Sequence, residues 1–122
     1  MATENVDVLI IEDDPDISIM VTAILKFAGY KVLQCAIIEK LPAIPEAVAP
    51  RLILMDMLLS GNDGRDICRR LKADEGSKDI AIIMMSAHPD AEVSCKEAGA
   101  NDFLSKPFDI DNFLNKVNSF LN

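Results

Sequence analysis

Apolar residues follow two alternating rhythms along this chain. Val6 to Ile11 is a continuous apolar run broken by Asp7, the pattern of a strand buried on both faces. Glu12, Asp13, Asp14 and Pro15 follow, with Asp14 suited to a helix N-cap and Pro15 to the first helical position. Ile17, Met20, Val21, Ile24, Leu25 and Ala28 then recur at spacings of three and four, which predicts a helix with these residues on one stripe, closed by Gly29. Tyr30 to Cys35 and Leu52 to Met55 read as the second and third strands. Gly61 to Gly64 is turn chemistry. Arg65 to Lys72 reads as a helix with Ile67, Cys68 and Leu71 inward. Ile80 to Met85 is a fourth strand, Ala91 to Ala98 a short helix ended by Gly99, and Asp102 to Ser105 a fifth strand. Asp109 to Leu121 is a last helix with Ile110, Phe113, Leu114, Val117 and Leu121 on one side.

Five strands alternating with helices, apolar without a period of two, predict an α/β fold: a doubly wound parallel sheet with helices on both faces. Crossovers in such a sheet are right-handed. One connection is irregular. Residues 36–50 contain Pro42, Pro45 and Pro50, and proline in a helix interior costs about 3 kcal/mol. A short second helix, starting near Pro42 or Pro45 and ending before Pro50, is expected there.

In this architecture polar residues just beyond the strands' carboxyl ends gather at one edge, where ligands bind. Glu12, Asp13 and Asp14 follow the first strand, Asp56 the third, Ser86 the fourth and Lys106 the fifth. Each has a plain structural role open to it. Asp14 is a helix cap, an aspartate after a strand often serves a turn, and a single lysine is commonly a solvated surface residue. Their convergence from four strands favours chemistry instead. Crowded carboxylates repel unless a cation sits among them, and an oxygen-only donor set suits Mg²⁺. A carboxylate such as Asp56 can act as a nucleophile and hold a phosphoryl group, while a lysine and a metal neutralise its oxygens.

Composition narrows the classes. The 122 residues make one domain, large enough to bury a core without staples. A formal net charge of −8, from 12 basic and 20 acidic residues, opposes direct binding of nucleic acid through its phosphates. Cys35, Cys68 and Cys95 are odd in number with no CxxC pair, which points to free thiols in a reducing compartment. No apolar run approaches the roughly 18 residues of a membrane span, and the N-terminus has no secretory pattern. A cytoplasmic protein without membrane attachment is expected.

Four stretches, VLIIEDDPDI at 8–17, LILMDMLLSGNDG at 52–64, IIMMSA at 82–87 and DFLSKPF at 102–108, stand in the order and near the spacing of one family. Together they make the chain resemble the receiver domain of two-component response regulators over essentially its whole length. The resemblance implies a flavodoxin-like (βα)5 fold with strand order 2-1-3-4-5. It implies Mg²⁺ as cofactor, held by Glu12, Asp13, Asp56 and the Leu58 backbone carbonyl. It further implies that Asp56 is the phosphoacceptor, Ser86 the switch hydroxyl, Lys106 the phosphoryl contact and Phe103 the switch aromatic. Phe103 has a second reading of equal weight, as core filler at a strand end. Pro107 stands where the family usually has a cis bond.

The implied function is to accept a phosphoryl group from a histidine kinase or phosphotransfer protein. The face of the fourth helix, fifth strand and fifth helix then changes and signals to a downstream protein partner. The chain is expected to be a single receiver domain, 1–122, without an output domain of its own. Dimerisation through the same face is open to the family as a weak association.

The chain departs from the family in several places. Ser60 replaces a usual proline, and Arg51 a commoner acid, read as surface variation. The interval from Ser86 to Lys106 is about two residues short, which falls on the fourth helix or its loop. Leu58 and His88 occupy positions that tune dephosphorylation in the family. Leu58 cannot orient an attacking water, so self-hydrolysis is expected to be slow. The chain is therefore expected not to be an enzyme beyond self-phosphotransfer and slow self-dephosphorylation. Two other readings compete. A Mg²⁺-dependent aspartyl-phosphate phosphatase would carry an acid where Leu58 stands. A receiver-like binding module would lack one of the acidic pair, the acceptor or the lysine.

Overall fold

The computed structural model describes residues 6–35, 50–59 and 61–121. The expected short second helix and Ser60 lie outside these residues. The first strand, β1 (Val8–Ile11), leads into α1 (Pro15–Phe27), then β2 (Val32–Cys35) and β3 (Leu52–Asp56). A two-residue ladder follows, β4 (Leu58–Leu59) with β5 (Asn62–Asp63), then α2 (Gly64–Ala73) and β6 (Ala81–Ser86). The chain continues through α3 (Ala91–Glu97) and β7 (Asp102–Ser105) to α4 (Ile110–Leu121). The main sheet is wholly parallel in the order β2-β1-β3-β6-β7. That is the expected order 2-1-3-4-5 of the five long strands.

The sheet divides the core into two layers. Leu9, Ile11, Ile53, Met55, Ile82 and Met84 meet Ile67, Cys68 and Leu71 of α2 and Ala91 and Cys95 of α3. The intervening residues Val8, Ile10, Leu52, Leu54, Ile83 and Met85 meet Val21 and Leu25 of α1 and Phe113, Val117 and Leu121 of α4. Alternate side chains of a strand point to opposite faces, so one apolar run supplies both layers. The edge strand β2 differs: Leu33 is 40% exposed.

The helix signals sit as read. Asp14 caps α1 by accepting from the Asp16 and Ile17 amides, and Pro15 starts the helix. Gly29 and Gly99 hold the positive φ angles that follow α1 and α3. Three apolar positions differ from expectation. Met20 and Ile110 lie 46% and 56% exposed and Ala28 is exposed as well, while Ser18 and Thr22 are buried in α1. The stripe that packs on a sheet is narrower than the set of apolar residues on its helix.

Polar ties close the ends. The Tyr30 hydroxyl donates to Asn118 of α4. Arg51 donates to the Leu121 carbonyl oxygen at 2.7 Å and faces Asp7 at 3.7 Å, so it fastens the end of α4 to the amino edge of the sheet. Lys72 donates to the Ile80 carbonyl at 2.8 Å and to Asn101 at 2.7 Å, joining α2 to the approaches of β6 and β7.

Gly64 has a steric requirement. Its amide donates to the Met57 carbonyl oxygen at 2.7 Å. A Cβ here would run into the Asp56 carbonyl oxygen and stand 3.1 Å from the Met57 carbonyl oxygen. Gly64→Ala is expected to lower unfolding stability by about 1–3 kcal/mol, since the backbone after Asp56 must shift. Urea denaturation measures this, and an unchanged midpoint would refute the crowding argument.

Candidate functional site

The carboxyl edge of the sheet collects the expected residues. Glu12 and Asp13 leave β1, and Asp56 ends β3. One carboxylate oxygen from each lies within 4.8 Å of the others. Lys106, just beyond β7, places its Nζ 3.0 Å from Asp56 Oδ1 and 3.3 Å from Glu12 Oε2. Its side chain is 17% exposed, and Glu12 and Asp56 are buried. Such shielding makes these ion pairs stronger than solvated ones. The Lys106–Pro107 bond is cis.

Local structure sets each group. Asp56 is the last residue of β3, held in the sheet opposite Met85, and the next amide, of Met57, donates to the Met85 carbonyl at 2.9 Å. Glu12 is oriented by the Asp14 amide, which donates to its Oε1 at 3.1 Å. Ser86 ends β6 and is buried. Its Oγ accepts from the His88 amide at 3.0 Å. That contact uses an oxygen lone pair, so the hydroxyl proton can turn toward a ligand oxygen.

Other expected residues stand apart from this cluster. Phe103 is buried in the layer that holds Ala91, Cys95 and Ala98. The Leu58 side chain is 65% exposed, and its backbone is paired to Asp63 in the short ladder. His88 is exposed and lines a groove with Met57, Leu58 and Arg65. On the other side of Lys106 an apolar cleft of about 360 Å³ is lined by Ile17, Met20, Ala87, Pro107 and Phe108.

The residue reading missed Asp63, Arg65 and Ser94. Asp63 caps α2 and grips the Arg65 guanidinium, which reaches Ser94 of α3. The tripeptide Asp-Gly-Arg carried the cap signal, but nothing in it names a partner 29 residues away.

Electrostatics favour a cation. Burial raises the Glu12 and Asp56 carboxyls above their ordinary values of 4.5 and 3.8. Lys106 works against that rise for both, while neighbouring carboxylates add to it. An acid whose pKa rises on folding costs no stability below its ordinary value. The cost grows as pH climbs past about 4.5 and through the folded pKa, and is complete above it. The donor set fits Mg²⁺: three carboxylates, oxygen ligands only, charge in excess of the one lysine. A tenfold excess of Mg²⁺ over its Kd at pH 8 is expected to add about 1.4 kcal/mol, or roughly 5 °C in Tm. The gain should shrink as pH falls through the raised pKa values of Glu12 and Asp56. Thermal melts with Mg²⁺ against EDTA across pH check this, and a pH-independent gain would contradict it.

Comparisons with known proteins identify the family. The family model for the response regulator receiver domain matches residues 8–118. The DNA-binding dual master transcriptional regulator RpaA of Synechocystis is 38% identical over 116 residues, covering 93% of this chain and 48% of RpaA. The chain thus spans about half the length of that curated relative. The receiver domain of NtrX from Brucella abortus superposes with a TM-score of 0.84 at 28% identity, covering 94% of this chain and 98% of that one. The receiver domain of a sensor histidine kinase from Pseudomonas aeruginosa, with a magnesium ion coordinated in its active site cleft, gives a TM-score of 0.79 at 26% identity, covering 96% and 98%. With its flavodoxin-like sheet order and a family model matched over nearly its full length, the chain belongs to the response regulator receiver domains of two-component systems.

Proposed function

We propose that the chain takes a phosphoryl group onto Asp56 beside Mg²⁺ and uses it to reset the surface formed by α3, β7 and α4. The carrying observation is the Lys106 ammonium 3.0 Å from Asp56 Oδ1, next to three carboxylates clustered within 4.8 Å. Glu12, Asp13 and Asp56, with the Leu58 carbonyl, are the residues that would hold the metal. When bound, Mg²⁺ supplies positive charge to the phosphoryl oxygens.

Asp56 attacks phosphorus with a carboxylate oxygen. An O–P bond forms, the donor's bond to phosphorus breaks, and the donor leaves with that electron pair. Lys106, released from its pairing with the bare carboxylate, balances charge on the new dianion. The Ser86 hydroxyl donates to a phosphoryl oxygen, and its loop follows. Phe103, already buried beside α3, acts in this scheme as part of the packing that the loop must rearrange.

A histidine kinase or phosphotransfer protein is the donor that suits the site, entering over α1 and the apolar cleft beside Lys106. Met20, which lines the cleft, is exposed, as is Ile19 of α1. Output runs through a downstream protein partner, with weak dimerisation as one form of that contact. An excess of acidic residues argues against direct nucleic-acid contact. Among the described residues no helix is long and apolar enough to cross a membrane, which fits a cytoplasmic role. Leu58 brings no acid or base to the acceptor, which favours a long-lived phosphoryl group over enzymatic turnover. A lifetime of only seconds in the isolated chain would oppose that.

The test is direct. The chain is incubated with acetyl phosphate and Mg²⁺, and its intact mass is taken. One phosphoryl adduct is expected, and none in EDTA. Absence of any adduct sinks the proposal, and sustained release of phosphate at enzymatic rates favours a phosphatase.

A further inference from the structure

The first turn of α3 is held from two directions. From the hydroxyl side, the His88 amide donates to Ser86 Oγ, and the His88 carbonyl accepts from the Ala91 amide at 3.2 Å. From the metal side, Leu58 is paired to Asp63 in the short ladder. Both oxygens of Asp63 receive the Arg65 guanidinium, from Nε at 2.9 and 3.1 Å and from the second amino group at 2.5 Å. The remaining amino group of Arg65 donates to Ser94 Oγ at 3.1 Å. That hydroxyl in turn donates to the Ala91 carbonyl at 3.1 Å. Both routes end on Ala91.

We infer that Arg65 is a positioning residue that couples the metal-side loop after Asp56 to the first turn of α3, through Asp63 and Ser94. The inference deepens the reading above and rests on its metal site, but not on phosphoryl transfer itself. Its physical basis is a continuous set of hydrogen bonds in which each group has a defined sense. Ser94 accepts from Arg65 and donates to Ala91, so its hydroxyl cannot rotate without losing one partner. Arg65 makes a fork to one carboxylate and still has an N–H pair to spend elsewhere, which lysine could not do. Arg65 and Asp63 are each about one-third exposed, at 32% and 33%, so their ion pair adds little to stability. Loss of the contact should therefore change the response of α3 far more than the fold.

Amide hydrogen exchange over residues 91–97 reads the coupling in the full chain. Two probes are used, Mg²⁺ alone and Mg²⁺ with acetyl phosphate, each against EDTA. The wild type is expected to change exchange there at least about threefold with either probe. Arg65→Gln, Arg65→Lys and Ser94→Ala should lose that change, keep the melting temperature within roughly 3 °C, and form the phosphoryl adduct to the wild-type extent. Ser94→Thr keeps the hydroxyl and should keep the response. Arg65→Gln combined with Ser94→Ala should behave as either alone.

A wild type whose α3 exchange responds to neither probe overturns the coupling, and so do variants that retain the wild-type response. If the response to Mg²⁺ survives but no adduct forms, phosphoryl transfer is refuted and the coupling stands. If the adduct forms and α3 stays unchanged, the reverse holds.

Discussion

Asp56→Asn is expected to abolish the phosphoryl adduct completely and, in the absence of Mg²⁺, to leave the domain more stable than the wild type. Both effects come from one charge. The amide is no nucleophile toward phosphorus, so the adduct falls below detection by intact mass. The removed carboxylate is a buried one whose pKa is raised by burial first and by Asp13 among its neighbours. At neutral pH the native state holds it ionised at a cost. Lys106 keeps Glu12 as a partner at 3.3 Å after the substitution, so no buried charge is left alone. A gain of about 1 kcal/mol, or roughly 4 °C, is the expected size for relief of this kind. The same variant should lose most of the Mg²⁺-dependent rise in Tm. An adduct at the wild-type level would remove Asp56 from its role. A fall in Tm would mean that the Lys106 pairing outweighs the repulsion.

Phe113→Ala should be the most damaging change to stability, at about 3–5 kcal/mol. Phe113 is fully buried, and it packs α4 on the layer formed by Val8, Ile10, Leu54 and Leu104. Its ring stacks on Phe108 at 5.2 Å between centroids. Truncation leaves a cavity beneath that contact, which the sheet on one side and α4 on the other cannot close. A domain of this size has about 5–15 kcal/mol in total. The variant should therefore retain a cooperative transition at a much lower urea midpoint. A loss under about 1 kcal/mol would show that the layer collapses to fill the space. Site chemistry should survive at low temperature, because Phe113 belongs to the apolar layer under α1 and α4 and supplies no polar group to the site.

Much of this could be seen in the residues before any coordinates. Buried parallel strands are apolar on both faces, so Leu52 to Met55 and Ile80 to Met85 stand out without periodicity, and their real bounds shift by one residue. Asp14 and Pro15 mark a helix start because cap geometry is local. The strand ends gather Glu12, Asp56, Ser86 and Lys106 because the topology leaves them no other edge. What could not be seen was decided by contacts distant in sequence. Met20 and Ile110 fit a helical stripe equally well inside or out, and their exposure depends on how much of the stripe the sheet covers. The pair Leu58–Leu59 with Asn62–Asp63 is too short to carry a period. Arg51 passes for surface variation until Leu121 is brought to it. Arg65 and Ser94 are ordinary residues for exposed helix positions, and their meeting is a product of the fold.

The Arg51–Leu121 tie also sets a direction. The twelve residues of α4 rise roughly 18 Å away from the site edge and finish at the opposite pole of the sheet, where the guanidinium pins the last carbonyl. A dye, an immobilising tag or a fused reporter joined after Leu121 therefore departs from the pole farthest from Asp56. It gives experimenters a handle that leaves both the acceptor edge and the α1 cleft open.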